Sequence, residues 1–497
     1  MKQFITYIFI AAALLGTTTS CSDFFDVDSH HAAAEDQQWT SIQDTRAALM
    51  GIYALSRAAL AENNTHWVCG ELPMGDFTVI ERKDLQAVKD FNLNTNIKLV
   101  KDISDYRRFY AAINAAAVFI EKAPRTVGKD QAYSEQNLEW DVAQARALRA
   151  FLYFYMARIW GSVPLITSSY DNGHFPDVAP STHDEVLDYA KRELKSVADK
   201  LPYVYGSSSN NYYFQQADYW YGILMTKLSA YDILAHISAW QGNYADAESY
   251  CNFIIDNYEA NTSGASQLIT PTSSITQATG VFSSDTKTLG ALRLVGFGFQ
   301  YSQNEATREG HLEDLTLASP YNNEPHPDIY VTLDSLHKIY PETTDDRFGV
   351  DTSTVKYNNS YVDMTTGFPI FKKVNVVQDG SGKDNDYEVY SSALTFSRIE
   401  DIILLKAEAL CVLNRPQDAI TLLNQIRQAR GLKTVSFNKY FDGDRMKVLD
   451  EVFNERRREL IGEGWRWYDQ IRRQKLIRDN KTLLDMIETG KIYWQHP

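Results

Sequence analysis

The sequence predicts a mostly α-helical protein in which tetratricopeptide-like helix pairs form a scaffold that carries a loop-rich lobe with small strands. Three observations predict this fold class. Apolar residues recur at helical spacing through much of residues 41–260. A tetratricopeptide-like helix-pair pattern occurs twice along the chain. Between the two copies, the composition of residues 261–397 changes to Ser, Thr, Asn, Gly and Asp.

The N-terminus has the layout of a bacterial export signal. Lys2 supplies positive charge, residues 4–15 are apolar, and a short stretch of small and polar residues leads to Cys21. The apolar run is too short to span a bilayer, which takes about 20 residues. A cysteine directly after the cleavage region predicts a lipoprotein whose lipid is attached at Cys21. Thr18 departs from the branched aliphatic residue that is usual at its position.

Helices are predicted in order along the scaffold. Helical periodicity starts near Thr40 and breaks over residues 70–96, which predict a long excursion. Three further helices are predicted at residues 106–123, 138–160 and 181–201. Pro124 ends the first of these because proline cannot continue a helix, and Thr182 is the N-cap of the third.

Two segments follow the tetratricopeptide pattern, in which small residues let two helices approach closely across a tight turn. The first copy covers residues 231–254 and has Gly242 at the turn. The second copy begins at Arg398 and has Asn414 at the turn, a residue that also accepts left-handed geometry. The equivalent alanines of the two copies are 172 positions apart, so the copies do not form one tandem array.

Residues 261–397 predict an ordered but irregular lobe. Helical periodicity is poor there, and strands are predicted at residues 291–297 and 371–377. The lobe contains many Phe and Tyr residues, whereas disordered segments are poor in aromatic residues. Binding residues are often found on such loops. The chain is therefore divided into a signal peptide (1–20), a lipidated leader (21–40), a helical scaffold (41–260), the lobe (261–397) and a C-terminal helix pair with an Arg/Trp-rich segment (398–497).

Charge and cysteine content exclude several classes of function. The formal net charge of −15 argues against a nucleic-acid partner and against electrostatic adhesion to anionic lipid. No later apolar stretch predicts a membrane span, so membrane contact is expected only through the lipid on Cys21. Cys69, Cys251 and Cys411 cannot all pair, and a disulfide framework is not expected.

No motif predicts catalysis, a metal site or a cofactor. The sequence lacks the zinc spacing His-Glu-x-x-His, the Gly-x-Ser-x-Gly elbow and a phosphate-binding loop. With 64 Asp and Glu residues, carboxylate pairs such as Asp345–Asp346 occur by chance and do not indicate a glycosidase. The Arg-rich segment 455–473 has interleaved Glu and Asp, which predicts structural ion pairs, with Trp465 and Trp467 in the core.

Four distinctive stretches run from near the N-terminus almost to the C-terminus. They are residues 21–26, residues 144–165 with the turn Gly161-Ser162-Val163-Pro164-Leu165, residues 398–409 with Asn424-Gln425-Ile426-Arg427, and residues 455–473 with Glu463-Gly464-Trp465-Arg466-Trp467. Together they resemble the SusD/RagB family, the outer-membrane nutrient-binding lipoproteins of Bacteroidetes. The resemblance implies four tetratricopeptide-like helix pairs that support an irregular lobe.

The resemblance also implies a function and a partner. Members of this family face the cell exterior as lids on a SusC-like TonB-dependent outer-membrane transporter, bind a glycan or sometimes a peptide, and are not enzymes. A sugar ring has an apolar face and a belt of hydroxyls, so its site needs exposed aromatic rings beside amide and carboxylate groups. Two segments that match the family's contact regions in position have this mixture. The candidate contacts are Trp67, Asp76, Phe77, Tyr301, Gln303, Asn304 and Tyr321.

Three functions are therefore open at this stage. The first is a glycan-binding lipoprotein that captures an oligosaccharide or polysaccharide and delivers it to the transporter without a covalent step. The second keeps the same scaffold and binds a peptide. The third is a surface glycoside hydrolase, which would need a pair of catalytic carboxylates.

Overall fold

A computed structural model describes residues 38–170, 177–206, 212–261, 268–284, 292–301, 304–305, 307–351, 356–379 and 388–496. The predicted signal peptide and Cys21 lie outside these ranges, so the lipid anchor stays a prediction. Helices dominate the described residues, and the strands form short antiparallel pairs. Among these residues, no helix combines the length and the apolar composition that crossing a membrane requires.

The helices are α1 (Ile42–Ala61), α2 (Thr65–Glu71), α3 (Lys83–Lys89), α4 (Lys98–Ser104), α5 (Arg107–Lys122), α6 (Glu135–Trp160), α7 (His183–Val197), α8 (Ala217–Trp220), α9 (Lys227–Trp240), α10 (Tyr244–Asp256), α11 (Tyr258–Asn261), α12 (Thr272–Thr276), α13 (Glu313–Thr316), α14 (Leu333–Ile339), α15 (Ile399–Val412), α16 (Pro416–Ala429), α17 (Phe437–Phe441), α18 (Arg445–Leu460), α19 (Arg466–Ile477) and α20 (Lys481–Glu488). The strands are β1 (Thr78–Val79), β2 (Val163–Pro164), β3 (Pro180–Ser181), β4 (Arg293–Phe297), β5 (Ile329–Tyr330), β6 (Gly349–Asp351), β7 (Lys356–Asn358), β8 (Val362–Asp363), β9 (Ile370–Phe371), β10 (Val377–Asp379), β11 (Glu388–Tyr390) and β12 (Leu394–Arg398). The strand pairs are β1–β5, β2–β3, β4–β12, β6–β7, β8–β9 and β10–β11.

Local sequence signals set the helix boundaries. Thr182 caps α7, as predicted, in a reciprocal pairing with Glu185, and Ser41 caps α1 in the same way. Helix α6 ends at Gly161, whose φ of 72° is accessible to glycine without strain. Asn414 has a φ of 63° at the turn between α15 and α16, which confirms its predicted left-handed geometry.

The long helices form a continuous stack of packed pairs, which confirms the predicted fold class. Helix α1 packs on α5, α6 on α7, α9 on α10, and α15 on α16. Helices α5 and α6 connect the first two pairs, and α10 packs directly on α15. The two tetratricopeptide copies, although far apart in the sequence, are therefore neighbours in space.

The lobe shares its core with the helical stack. Phe151 on α6 packs against Phe297 of β4 and Phe396 of β12, with ring centroids 5.8 and 5.1 Å apart. These three rings belong to a hydrophobic cluster that extends from Trp39 to Trp494. Burial of so much apolar surface in one cluster fixes the lobe rigidly against the helices.

Two local predictions need correction. Residues 70–96 are not a featureless excursion, since they contain the end of α2, β1 and α3. The strand predicted at residues 371–377 is interrupted, because β9 ends at Phe371 and β10 begins at Val377. Between them, the chain turns so that the Lys373 ammonium donates to the buried carbonyl groups of Glu459 and Ile461. The predicted strand at 291–297 is confirmed as β4.

The Arg-rich C-terminal segment forms a buried ion-pair network, as predicted. Glu459 accepts hydrogen bonds from Arg347, Arg398 and Arg430, at N–O distances of 3.0, 2.9 and 2.8 Å. Burial alone would raise the pKa of Glu459, but these arginines hold that pKa well below its usual range. Most partners come from other elements, so the network ties the segment to the lobe and to α15 and α16.

Other predicted core residues of this region are also confirmed. Trp465 and Trp467 are buried, and Asp345 pairs with Arg347 at 2.8 Å. Cys69, Cys251 and Cys411 are buried free thiols, and they pack as small apolar residues.

Candidate ligand-binding pocket

A cavity of about 420 Å³ lies between α1, the end of α8 with the residues that follow it, and the end of β4 with the residues that follow it. Its volume falls within the roughly 300–1,000 Å³ range of small-molecule pockets. Arg46, Met50, Tyr53 and Arg57 face it from α1, since positions three or four apart share one side of a helix. The remaining lining residues are Ala54, Tyr219, Trp220, Ile223, Ser284, Phe297, Gly298, Gln300 and Glu305.

Two aromatic rings form one wall of this pocket. Tyr219 and Trp220 pack edge to face, with their centroids 4.7 Å apart. Trp220 is 4% exposed and anchors the wall, whereas Tyr219 is 39% exposed. A half-exposed ring beside a cavity can stack on an apolar ligand face, because aromatic side chains gain from burial of their π surface.

A buried hydrogen-bond network holds the floor of the pocket in place. The hydroxyl of Tyr53 donates to Gln144 at 2.9 Å and accepts from the backbone N–H of Met225 at 2.8 Å. Nearby, the Asp141 carboxylate accepts from the hydroxyls of Tyr133, Tyr212 and Tyr213. Burial raises the pKa of Asp141 to about 6.

The same network supports a strained backbone segment. Tyr213 and Phe214 have φ values of 49° and 58°, in the left-handed region that bulky residues avoid. The bond from Tyr213 to Asp141 holds this conformation, because the network determines where its hydroxyl lies. The aromatic segment 212–221 is therefore fixed before any ligand arrives.

The polar side of the pocket is a tight turn held by Arg57. Its guanidinium donates to the carbonyl of Gly298 and, at 2.9 Å, to the carboxylate of Glu305. Glu305 also accepts from the backbone N–H of Gln300 at 3.1 Å. A Cβ atom at Gly298 would lie 2.8 Å from the Ser284 hydroxyl, so a larger residue there would displace that side chain. Burial raises the pKa of Glu305, but Arg57 holds it below its ordinary value.

Arg46 completes the pocket at the mouth. Its guanidinium stands 5.7 Å from the Tyr219 ring centroid and 5.6 Å from that of Trp220. One of its nitrogens donates to the Tyr219 hydroxyl at 3.1 Å. The site thus combines two aromatic rings with two guanidinium groups, one carboxylate and one amide.

Two of the residues predicted from the sequence lie beside this pocket. Tyr301 follows Gln300 directly and is 37% exposed. Asn304 is exposed, and its backbone N–H donates to the Tyr301 carbonyl at 3.0 Å in a left-handed turn. Gln303 lies outside the described residues. Contact of these residues with a ligand stays a prediction.

The predicted contacts around residue 70 are wrong, because all three side chains are buried. Trp67 is 1% exposed and packs on His66, and Phe77 is fully buried edge to face with Phe371. Asp76 is paired with Arg457 and Arg466. Although burial raises its pKa, those two arginines hold the pKa of Asp76 below its ordinary value.

Tyr321 does not line the pocket. Its ring packs against a small cluster of Leu317, Ala318 and Ile370, and its hydroxyl donates to Asp363 at 2.7 Å. It is only half-buried. Its role in the structure is therefore to fix the β8–β9 hairpin.

Sequence reasoning missed the residues that form most of the pocket. Arg46, Tyr53 and Arg57 look like ordinary positions of an amphipathic helix. A signal did exist for Tyr219 and Trp220, because residues 212–221 contain six aromatic side chains between two predicted helices. Such a density of rings outside regular helices favours a binding surface.

Comparison with known families agrees with this architecture. A model of the SusD family matches residues 241–491, which is just over half of the chain. The chain belongs to the SusD family. A second model, described as starch-binding and associating with the outer membrane, matches residues 23–221. The matched ranges of the two models include the aromatic segment, α1 and the C-terminal ion-pair network.

Individual SusD-family proteins resemble this chain over nearly its full length. SusD-like protein P38 of Formosa agariphila is 25% identical, over 96% of this chain and 93% of its own length. The structure of a SusD superfamily protein from Bacteroides thetaiotaomicron is 51% identical and has a TM-score of 0.83, covering 92% of this chain and 95% of that one. A SusD-like carbohydrate-binding protein from Bacteroides vulgatus is 18% identical, with a TM-score of 0.61 over 87% of this chain and 83% of that one, and shares the fold.

Proposed function

We propose that this protein is a cell-surface glycan-binding lipoprotein that captures an oligosaccharide or polysaccharide in the pocket lined by α1, residues 219–223, residues 297–300 and Glu305. The observation that carries the proposal is the side-by-side arrangement of an aromatic wall and a polar turn. Tyr219 and Trp220 offer apolar faces, while Arg57, Gln300 and Glu305 offer hydrogen-bond donors and acceptors. The match of residues 23–221 to a model described as starch-binding supports it.

Binding in this pocket requires no covalent step. The apolar face of a sugar ring would stack on Tyr219, and the equatorial hydroxyls would exchange hydrogen bonds with water for bonds to the polar turn. Because such an exchange gains only about 1 kcal/mol per bond, affinity for one sugar unit is expected to be modest. Among the lining residues that the structure describes, Glu305 has the one carboxylate, and that carboxylate is paired with Arg57. This supports binding rather than hydrolysis, which uses a carboxylate pair.

Delivery to a transporter and lipid anchoring at Cys21 belong to the same proposal. The matched model associated with the outer membrane supports the location. In this scheme, the protein is a lid on a SusC-like TonB-dependent transporter, and the captured glycan passes to the channel when the lid closes. Purification of the native protein from the outer membrane, followed by identification of the proteins and ligands that accompany it, tests the partner and the cargo together.

Calorimetric titration with a panel of glycans and peptides tests the pocket itself. Tyr219→Ala removes the exposed ring, and we expect it to weaken glycan binding about tenfold, because aromatic contacts contribute roughly 0.5–1.5 kcal/mol beyond area burial. Tyr440→Ala is the matched control, since Tyr440 is 54% exposed on α17 and does not line the pocket. Unchanged glycan binding by Tyr219→Ala would exclude this pocket. Peptide binding that depends on Tyr219 would favour the alternative cargo, and released sugars would favour a hydrolase.

A further inference from the structure

Arg46 carries a charge that the described protein groups leave unpaired. Its one hydrogen bond goes to the Tyr219 hydroxyl, and no described carboxylate lies within ion-pair distance of it. The sequence explains this, because the positions three and four residues away on α1 are Ile42, Gln43, Leu49 and Met50. None of these can form the helical ion pair that usually satisfies a surface arginine.

The other charges of the pocket do not neutralise Arg46. Arg57 and Glu305 pair with each other at 2.9 Å, so the described lining keeps one net positive charge. The acidic residue nearest in sequence to the aromatic wall, Asp218, is exposed and does not line the cavity. The positive charge of the lining is opposite in sign to that of the whole chain, whose formal net charge is −15.

The position of Arg46 suits recognition of an anion. The guanidinium lies over the rings of Tyr219 and Trp220, and the one hydrogen bond that it makes with the described residues uses a single one of its five N–H donors. A guanidinium matches the two oxygens of a carboxylate or a sulfate bidentately. Because the group is half-buried beside a cavity, its attraction for an anion is screened less than at an open surface.

We propose that the pocket selects glycans that carry an anionic group, the carboxylate of a uronic acid or a sulfate ester, and that Arg46 recognises that group. This rests on the glycan-binding pocket proposed above. Arg46 is the specificity-determining residue, whereas Tyr219 supplies the binding surface that charged and neutral glycans share.

Matched polymers that differ only in charge test the proposal on the full-length protein. The first pair is polygalacturonate and its carboxyl-reduced form, and the second is a sulfated galactan and its desulfated form. The wild type is expected to bind the charged member of at least one pair about tenfold more tightly, as a charge-assisted hydrogen bond implies. The pair that shows the preference identifies the anion.

Substitution of Arg46 then assigns the preference to one residue. Arg46→Gln is expected to abolish this preference, measured as the ratio of affinities for the charged and neutral members of a pair, while Arg46→Lys keeps part of it. Arg192→Gln is the control, because Arg192 is exposed on α7 and its loss changes the net charge equally. The preference should weaken with added salt in the wild type and not in Arg46→Gln.

The possible failures separate the two proposals. Equal affinity for the charged and neutral members, or binding of neither charged polymer, overturns selection of an anion. A preference that survives in Arg46→Gln overturns the role of Arg46. If Tyr219→Ala leaves all glycan binding intact, the assignment of glycan binding to this pocket is wrong, irrespective of the result for Arg46→Gln.

Discussion

Two regions of this molecule use arginine in opposite ways. Around Glu459, the guanidinium groups of Arg347, Arg398 and Arg430 are fully buried, and each contacts a carboxylate. At the pocket, Arg46 is half-buried and rests on aromatic rings without a carboxylate partner among the described residues. The comparison shows that pairing and exposure, rather than residue type, separate a structural arginine from one that is available to a ligand.

Arg158 shows that an arginine without a carboxylate partner among the described residues is not necessarily available to a ligand. It stands 4.6 Å from the Tyr155 ring centroid and 4.1 Å from that of Tyr468, so aromatic rings take the place of an ion pair. Its burial, at 2% exposure, closes it to any ligand and lowers its pKa below the ordinary value. Arg46 differs because its stacked guanidinium opens onto a cavity.

The largest expected effect comes from breaking the buried network. Glu459→Gln should lower the free energy of unfolding by about 3–5 kcal/mol, because three buried arginines lose a shared charged partner. Arg46→Gln should change it by less than about 0.5 kcal/mol, since no ion pair is broken. Urea unfolding of both variants measures this difference. Equal losses would remove the distinction between the two regions.

The two regions should also respond to pH with opposite signs. Burial raises the pKa of Asp141 beneath the pocket to about 6, so the folded state favours its protonated form. At 1.36 kcal/mol per pKa unit, this shift adds about 3 kcal/mol to the free energy of unfolding at pH values below 4. That stabilisation is lost as the pH rises through 6. In the network, burial alone would raise the pKa of Glu455, but Arg347 and Arg458 hold that pKa at about 2. The stabilisation of the folded state by Glu455 is therefore present above pH 4 and lost on acidification towards pH 2.

Asp141→Asn isolates the first of these effects. Urea unfolding of the wild type and the variant at intervals between pH 4 and pH 8 gives the difference in stability at each pH. We expect the wild type to lose about 3 kcal/mol relative to the variant across this range. The difference curve is needed because burial also raises the pKa of Glu71 and of Glu313 to about 7. A flat difference curve would mean that Asp141 stays charged or is solvated.

Local structure was largely predictable from the sequence. Periodicity gave α5, α6 and α7 within a few residues, and the N-cap Thr182 and the turn residue Asn414 behave as their chemistry predicts. The family resemblance gave the architecture, and the interleaved charges of residues 455–473 indicated ion pairs. The helix bounds, the cap and the turn depend on residues close together in the sequence, whereas most partners of the Arg-rich segment come from other elements and were not predicted.

The pocket was not predictable in the same way, because its walls come from distant parts of the chain. Arg57 on α1 reaches Glu305, 248 positions later, and Arg46 reaches Tyr219, 173 positions later. Sequence alone showed aromatic and polar residues near Trp67 and could not show that the fold buries them. Only packing decides which of many similar rings remains exposed.

The smallest expected effect comes from freeing Arg57 from its carboxylate partner, which should make it resemble the unpaired Arg46. Glu305→Gln removes the charged partner of Arg57, which should leave two unpaired guanidinium groups beside the cavity. The pair is partly exposed, so the loss of stability should be at most about 1 kcal/mol. The contacts that hold Gly298, Gln300 and Glu305 together would loosen, which should weaken binding of every glycan slightly. The ratio of affinities for charged and neutral members of a polymer pair cancels that shared loss, and we expect this ratio to rise a few-fold in Glu305→Gln.

The double variant Arg57→Gln/Glu305→Gln should restore the wild-type ratio. A ratio that stays constant in both variants would show that freeing a guanidinium from its carboxylate is not enough to make it recognise an anion.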